Sequence, residues 1–86
     1  MAKIQFSECA WEDYLYWQGQ DKKTLKRLND LMKEISRNGK PQKGKAELLK
    51  GDLQGLASLR IDSVNRLVYK VLGDTIIIIQ CRGHYL

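Results

Sequence analysis

The pattern of apolar and polar positions changes period twice along the chain. Lys3-Ile4-Gln5-Phe6 alternates with the two-residue period of a half-buried strand. From Ala10 the spacing becomes helical, with Ala10, Tyr14 and Trp17 on one face and Trp11 and Leu15 beside it. Ser7 is placed to cap this helix, which is predicted to run to about Gln18 and to end at Gly19. Asp21 is positioned to cap a second helix, whose apolar stripe is Leu25, Leu28, Leu31, Met32 and Ile35 and whose opposite face is mostly lysine and arginine. Asn38-Gly39 stops it, and Pro41 prevents a restart. A basic linker over residues 40–45 leads into a strand-rich half, with strands expected at 46–49, 57–61, 66–72 and 75–81. Gly51-Asp52 and Gly73-Asp74 supply turn chemistry between them. The run Thr75-Ile76-Ile77-Ile78-Ile79 reads as a central strand buried on both faces. The order strand, helix, helix, antiparallel strands predicts an α+β fold in which a helical hairpin packs on one face of a small sheet. Residues 1–86 are expected to form one domain.

Charge changes this picture more than composition does. The formal net charge is +5, and it is unevenly distributed. Up to Asp21 there are four acidic residues and one basic, whereas residues 22–50 hold ten basic residues against Asp30, Glu34 and Glu47. Such a concentration attracts a polyanion, either nucleic acid or an acidic protein, although a solvated lysine-rich helix face has the same appearance. The two cysteines, Cys9 and Cys81, lack metal-ligand spacing. One disulfide is conceivable, but two reduced thiols in a cytoplasmic protein are the expectation. The chain begins without the apolar core of a signal peptide, and the isoleucine run is too short to span a bilayer.

Few side chains are suited to catalysis. There is no phosphate-binding glycine loop, no Ser/His/Asp array and no zinc spacing, and the only histidine is His84. It follows the isoleucine strand together with Arg82 and Tyr85, which places an imidazole, a guanidinium and a phenol at a rigid strand end. One histidine, carboxylates and arginines suffice for cleavage of RNA by its own 2′-hydroxyl, although a lone histidine near a terminus is more often a surface residue. A base removes the 2′-OH proton, a cation stabilises the phosphorane and an acid protonates the departing 5′-oxygen, with no cofactor required.

Four stretches in order, WEDYLYWQ (11–18), KAELLKGDLQG (45–55), NRLVYKV (65–71) and CRGHY (81–85), resemble the YoeB branch of the RelE superfamily. The resemblance covers nearly the whole chain. It implies a microbial-RNase-like fold and a small bacterial toxin that cleaves mRNA in the ribosomal A site. It also implies a homodimer neutralised by a cognate antitoxin, with mRNA and the 70S ribosome as the other partners. By position, Glu47 matches the general base, Arg66 the arginine that stabilises the phosphate, His84 the general acid and Tyr85 an aromatic that places the substrate. Lys50 and Arg60 match positions that contact RNA phosphates, and Lys43, Lys45 and Arg82 are further candidate RNA contacts. Tyr69 is expected in the core. Three positions depart from the family pattern. Ala57 stands where an aromatic is common, Leu59 where an arginine is common and Asn65 where histidine is frequent, which suggests a lost stacking surface and a lost cation. A non-cleaving inhibitor of translation or gyrase, and a ribosome-independent ribonuclease, are the competing readings.

Overall fold

The computed structural model describes residues 2–38 and 46–83. The first alternating segment forms β1 (Lys3–Phe6), followed by α1 (Glu8–Gln20) and α2 (Lys22–Asn38). The second half holds β2 (Ala46–Leu48), a 3-10 turn (Gly51–Leu53), β3 (Ala57–Arg60), β4 (Arg66–Leu72) and β5 (Thr75–Gln80). The five strands form one sheet in the order β1-β5-β4-β3-β2, parallel between β1 and β5 and antiparallel elsewhere. This is the expected α+β arrangement, with both helices packed against a mixed sheet.

Local chemistry sets the helix boundaries. The Ser7 hydroxyl accepts the Ala10 N–H at 3.1 Å and donates to the Ile79 carbonyl at 2.8 Å, so one side chain caps α1 and fastens it to β5. Gly19 does not end α1, because a glycine in a last turn weakens a helix without forbidding it. The break comes at Asp21, whose extended backbone (φ −156°, ψ 96°) leaves the helix. Its carboxylate accepts the N–H groups of Lys23 and Thr24, both at 3.1 Å, and the Thr24 hydroxyl at 2.7 Å. Those hydrogen bonds to the charged form, led by the Thr24 hydroxyl, hold the Asp21 carboxyl below its ordinary pKa. The hairpin is further tied by Tyr14, whose hydroxyl donates to Asn29 Oδ1 at 2.8 Å.

The core lies between the hairpin and one sheet face. Leu28, Leu31 and Ile35 of α2 and Ala10 and Trp17 of α1 meet alternate sheet residues such as Leu67, Tyr69, Ile76 and Ile78. Full burial of one such aliphatic side chain is worth roughly 1.5–3 kcal/mol, and burial of this kind explains why α2 stays helical despite its charged outer face. The Lys26–Asp30 pair on that face, 3.1 Å apart and well exposed, adds little. The isoleucine strand differs from expectation. Ile76 and Ile78 are fully buried, but Ile77 and Ile79 are only half-buried, because helices cover one face alone. Tyr69 is fully buried, as expected, yet its hydroxyl finds no hydrogen-bond partner among the described residues. Burial raises its pKa to about 12, so it remains a neutral phenol. Tyr69→Phe should therefore leave the melting temperature unchanged or raise it, by up to about 1 kcal/mol of stability, because the lost group had no partner to leave behind. A clear fall in urea midpoint would show that the hydroxyl is satisfied in solution.

Candidate active site on the open face of the sheet

Strand alternation decides which residues share a face. On β3, Ala57 and Leu59 enter the core beneath the helices, so Ser58 and Arg60 point to the opposite, open face. Cross-strand register extends that face in both directions. Glu47 of β2 lies opposite Ser58, Ser58 opposite Val68 of β4, and Val68 opposite Gln80 of β5. One row along, Arg60 lies opposite Arg66. The fold thus brings Glu47, Arg60 and Arg66 onto one face of three adjacent strands. Glu47 and Arg60 are exposed and Arg66 is half-buried. Lys50 follows β2 and shares with Glu47 a shallow cleft of about 430 Å³ whose remaining walls are Leu48, Leu49 and Leu53. Two guanidinium-bearing residues directly opposite one another repel unless an anion lies between them. The paired cations can bind a phosphate, and the carboxylate beside them can deprotonate a neighbouring hydroxyl.

This placement corrects the reading of two departures. Ala57 and Leu59 are buried in the helix-facing core, so their identities alter packing and remove neither a ring nor a cation from the open face. Asn65 has a visible role of its own. The Asp62 carboxylate accepts the N–H groups of Val64 at 2.8 Å and of Asn65 at 2.7 Å, closing the turn between β3 and β4. The Asn65 amide donates back to that carboxylate at 3.0 Å, while its Oδ1 accepts the Gly83 N–H at 2.7 Å. The Gly83 carbonyl then accepts the Arg66 N–H at 2.9 Å, so the segment leaving β5 is seated beside Arg66. Gly83 has φ +78°, a conformation that disfavours any other residue.

Helix α1 holds the same segment from the other side. The Cys81 N–H donates to the Asp13 carboxylate at 3.1 Å, and the Trp17 indole N–H donates to the Cys81 carbonyl at 2.8 Å. The Cys81 thiol donates to the Ala10 carbonyl at 3.6 Å. Arg82 stacks its guanidinium over the Tyr16 ring, 3.6 Å from the centroid, which places this exposed candidate RNA contact against α1. Both cysteines are free. Burial, reinforced by Asp13, pushes the Cys81 thiol up to about 12, and the Asp13 charge also raises Cys9, so neither is a thiolate at neutral pH. His84, Tyr85, Lys43 and Lys45 lie outside the described residues. Sequence reasoning missed Ser58, Asp13, Trp17 and Asn65 as parts of this region. The WEDYLYWQ and CRGHY stretches were the available signal, since α1 grips the segment after β5 through residues of the first.

The turn should make the region acid-sensitive. Hydrogen bonds from Asn65 and Val64 hold the Asp62 carboxyl below its ordinary value. A depressed folded-state pKa contributes stability that is present above the unfolded carboxylate value, about 3.9, and lost as pH falls through the lower folded value. Asp62→Asn should therefore flatten the acid limb of melting temperature against pH below about pH 4. An unchanged limb would place the acid-sensitive group elsewhere.

Among the described residues, no cluster of three or more His, Cys, Asp or Glu could hold a metal ion, and no helix is long and apolar enough to cross a membrane. A helical hairpin on one face of a five-stranded mixed sheet is the RelE-like α+β fold. A YafQ mutant from Escherichia coli, at only 19% identity, has the same fold with a TM-score of 0.80. The sequence profile of the YoeB-like toxin of bacterial type II toxin-antitoxin systems matches residues 6–85, and the chain belongs to that family. It is similar to the toxin YoeB of Streptomyces coelicolor, with 47% identity over 83 residues covering 96% of this chain and 99% of the relative. It is also similar to YoeB in the heterotetrameric YoeB-YefM toxin-antitoxin complex of Staphylococcus aureus, with 46% identity, a TM-score of 0.87 and 99% of both chains covered. The YoeB dimer of the same organism matches at 46% identity and a TM-score of 0.86 over 98% of each chain.

Proposed function

We propose that this toxin is a ribosome-dependent endoribonuclease that cuts mRNA in the A site. Glu47 removes the proton from a ribose 2′-hydroxyl, and the oxygen attacks the adjacent phosphorus. Arg66, with Arg60 opposite it, stabilises the charge that builds on the non-bridging oxygens. His84, followed by the substrate-placing Tyr85, protonates the departing 5′-oxygen. The products are a 2′,3′-cyclic phosphate and a free 5′-hydroxyl, with no cofactor consumed. The observation that carries this reading is the open-face placement of Glu47 beside the opposed Arg60 and Arg66, a cationic pair that calls for an anion. The clamp on residues 81–83 supports it, because it seats the chain just before His84 at the Arg66 backbone.

Phosphate contacts hold RNA without choosing a cut site, so the ribosome supplies the alignment of the 2′-hydroxyl for in-line attack. The basic face of α2, Lys50 and the linker lysines Lys43 and Lys45 are its contacts. By analogy with the Staphylococcus aureus relatives, the protein forms a homodimer and is held inactive by an antitoxin, whose acidic segment covers the basic surface. The test is to add the protein to a translation reaction on purified ribosomes and map the mRNA ends. Discrete A-site cuts are expected. Inhibition without cuts would replace the nuclease with a binding inhibitor, and equal cleavage of naked RNA would remove the ribosome requirement.

A further inference from the structure

Ser58 sits in the middle strand of the cross-strand row that begins with Glu47, and only 1% of its surface is exposed. Its hydroxyl has no hydrogen-bond partner among the described residues. Among the described residues, the buried Tyr69 hydroxyl on the helix-facing side shares this state, whereas buried Ser36 donates to the Lys33 carbonyl at 3.0 Å and is satisfied within α2. A buried hydroxyl left without a partner is unfavourable, and its persistence needs a reason. Its surroundings on the open face are restrictive. Val68, directly opposite on β4, is apolar and itself 1% exposed. Arg60, two residues along β3, and Arg66, diagonal on β4, are donors with no acceptor. Glu47, directly opposite on β2, is the one neighbour of this set able to accept a hydroxyl proton.

We propose that Ser58 is a positioning residue for Glu47, its hydroxyl donating to one carboxylate oxygen when RNA covers the site and leaving the other oxygen aimed at the 2′-hydroxyl. The inference rests on the assignment of Glu47 as base. Ser58 is too enclosed to reach the substrate itself, whereas the exposed Glu47 carboxylate can turn inward to it. A carboxylate has room for such a donor whatever else it contacts, because its two oxygens accept about four hydrogen bonds. Covering the site with RNA strips water from the carboxylate, and a preset donor replaces that water without reorganisation. The same bond favours the ionised form that the reaction needs.

The test is single-turnover cleavage on programmed ribosomes across pH, for the wild type, Ser58→Ala and Ser58→Thr, each also in a Glu47→Gln background. Ser58→Ala should cleave about 10-fold more slowly near neutral pH, the scale of one hydrogen bond to a charged group. Its acid limb should move up by about one pH unit, with ribosome binding unchanged. Ser58→Thr, which keeps the hydroxyl, should restore most of the rate. Melting temperature should stay level or rise in Ser58→Ala, which separates this role from a structural one. In the Glu47→Gln background Ser58→Ala should have no further effect. An unmoved acid limb, or an equal loss without the Glu47 carboxylate, overturns the proposal while leaving Glu47 as base. Wild-type cleavage by Glu47→Ala would overturn the base assignment, and this proposal with it.

Discussion

Glu47→Ala and His84→Ala should each slow mRNA cleavage on programmed ribosomes by about 10²–10⁴-fold, the range of a positioned general acid or base. The two losses should differ in their response to pH. The proposed mechanism uses Glu47 as base and His84 as acid, which require opposite protonation states, so the wild type should give a bell-shaped profile. Glu47→Ala should flatten its acid limb, and His84→Ala its alkaline limb. Arg66→Ala belongs with them, because removing a cation aimed at developing charge is expected to reduce the rate on the order of 10²–10³-fold. Arg66→Lys should recover little, since an ammonium lacks the planar fork that meets two phosphate oxygens at once. Single-turnover rates with ribosomes in excess isolate the chemical step. Wild-type rates in both Glu47→Ala and His84→Ala would end the nuclease assignment.

The second large effect concerns stability. Trp17→Ala should destabilise the fold by about 3–5 kcal/mol, because it empties a buried indole-sized volume between α1 and the sheet. It also orphans the Cys81 carbonyl that the indole N–H satisfies at 2.8 Å. Trp17→Phe keeps most of the ring volume and loses the donor, and should lose only about 1–2 kcal/mol. The milder variant is the informative one for function. It should fold, exchange the backbone amides of residues 81–83 faster with deuterium, and cleave mRNA more slowly. Urea unfolding gives the first quantity, and peptide-resolved exchange gives the second. Normal protection of that segment in Trp17→Phe would show that Asp13, Ala10 and Asn65 hold it without the indole.

These two expectations draw on different information. Glu47, Arg66 and His84 could be nominated from the chain as the proposed base, cation and acid, because residue type and motif context single them out. That Glu47 and Arg66 share a face was not legible, since β2 and β4 are separated by β3 and the register between them is a tertiary fact. The clamp residues were less legible still. Asp13 and Trp17 look like ordinary members of an amphipathic helix, and only the approach of α1 to the end of β5 turns them into partners of Cys81. Asn65 is a departure from the family pattern in the sequence, whereas in the fold its amide joins the Asp62 turn to Gly83.

By itself the sequence determined the elements and their kinds. Apolar spacing along α2, alternation in β1 and glycine turns between the later strands are local signals, read within a few residues, and the observed elements follow them closely. It also determined the family, through four ordered motifs. Tertiary structure alone decided that the first strand pairs in parallel with the last, and that Ala57 and Leu59 face the helices. It likewise decided that Ile77 and Ile79 lie on the less covered side of the sheet. The physical reason is the same in each case. Alternation states which residues share a face, but which face is covered depends on where helices settle, and that is set by burying the most apolar surface across the whole chain.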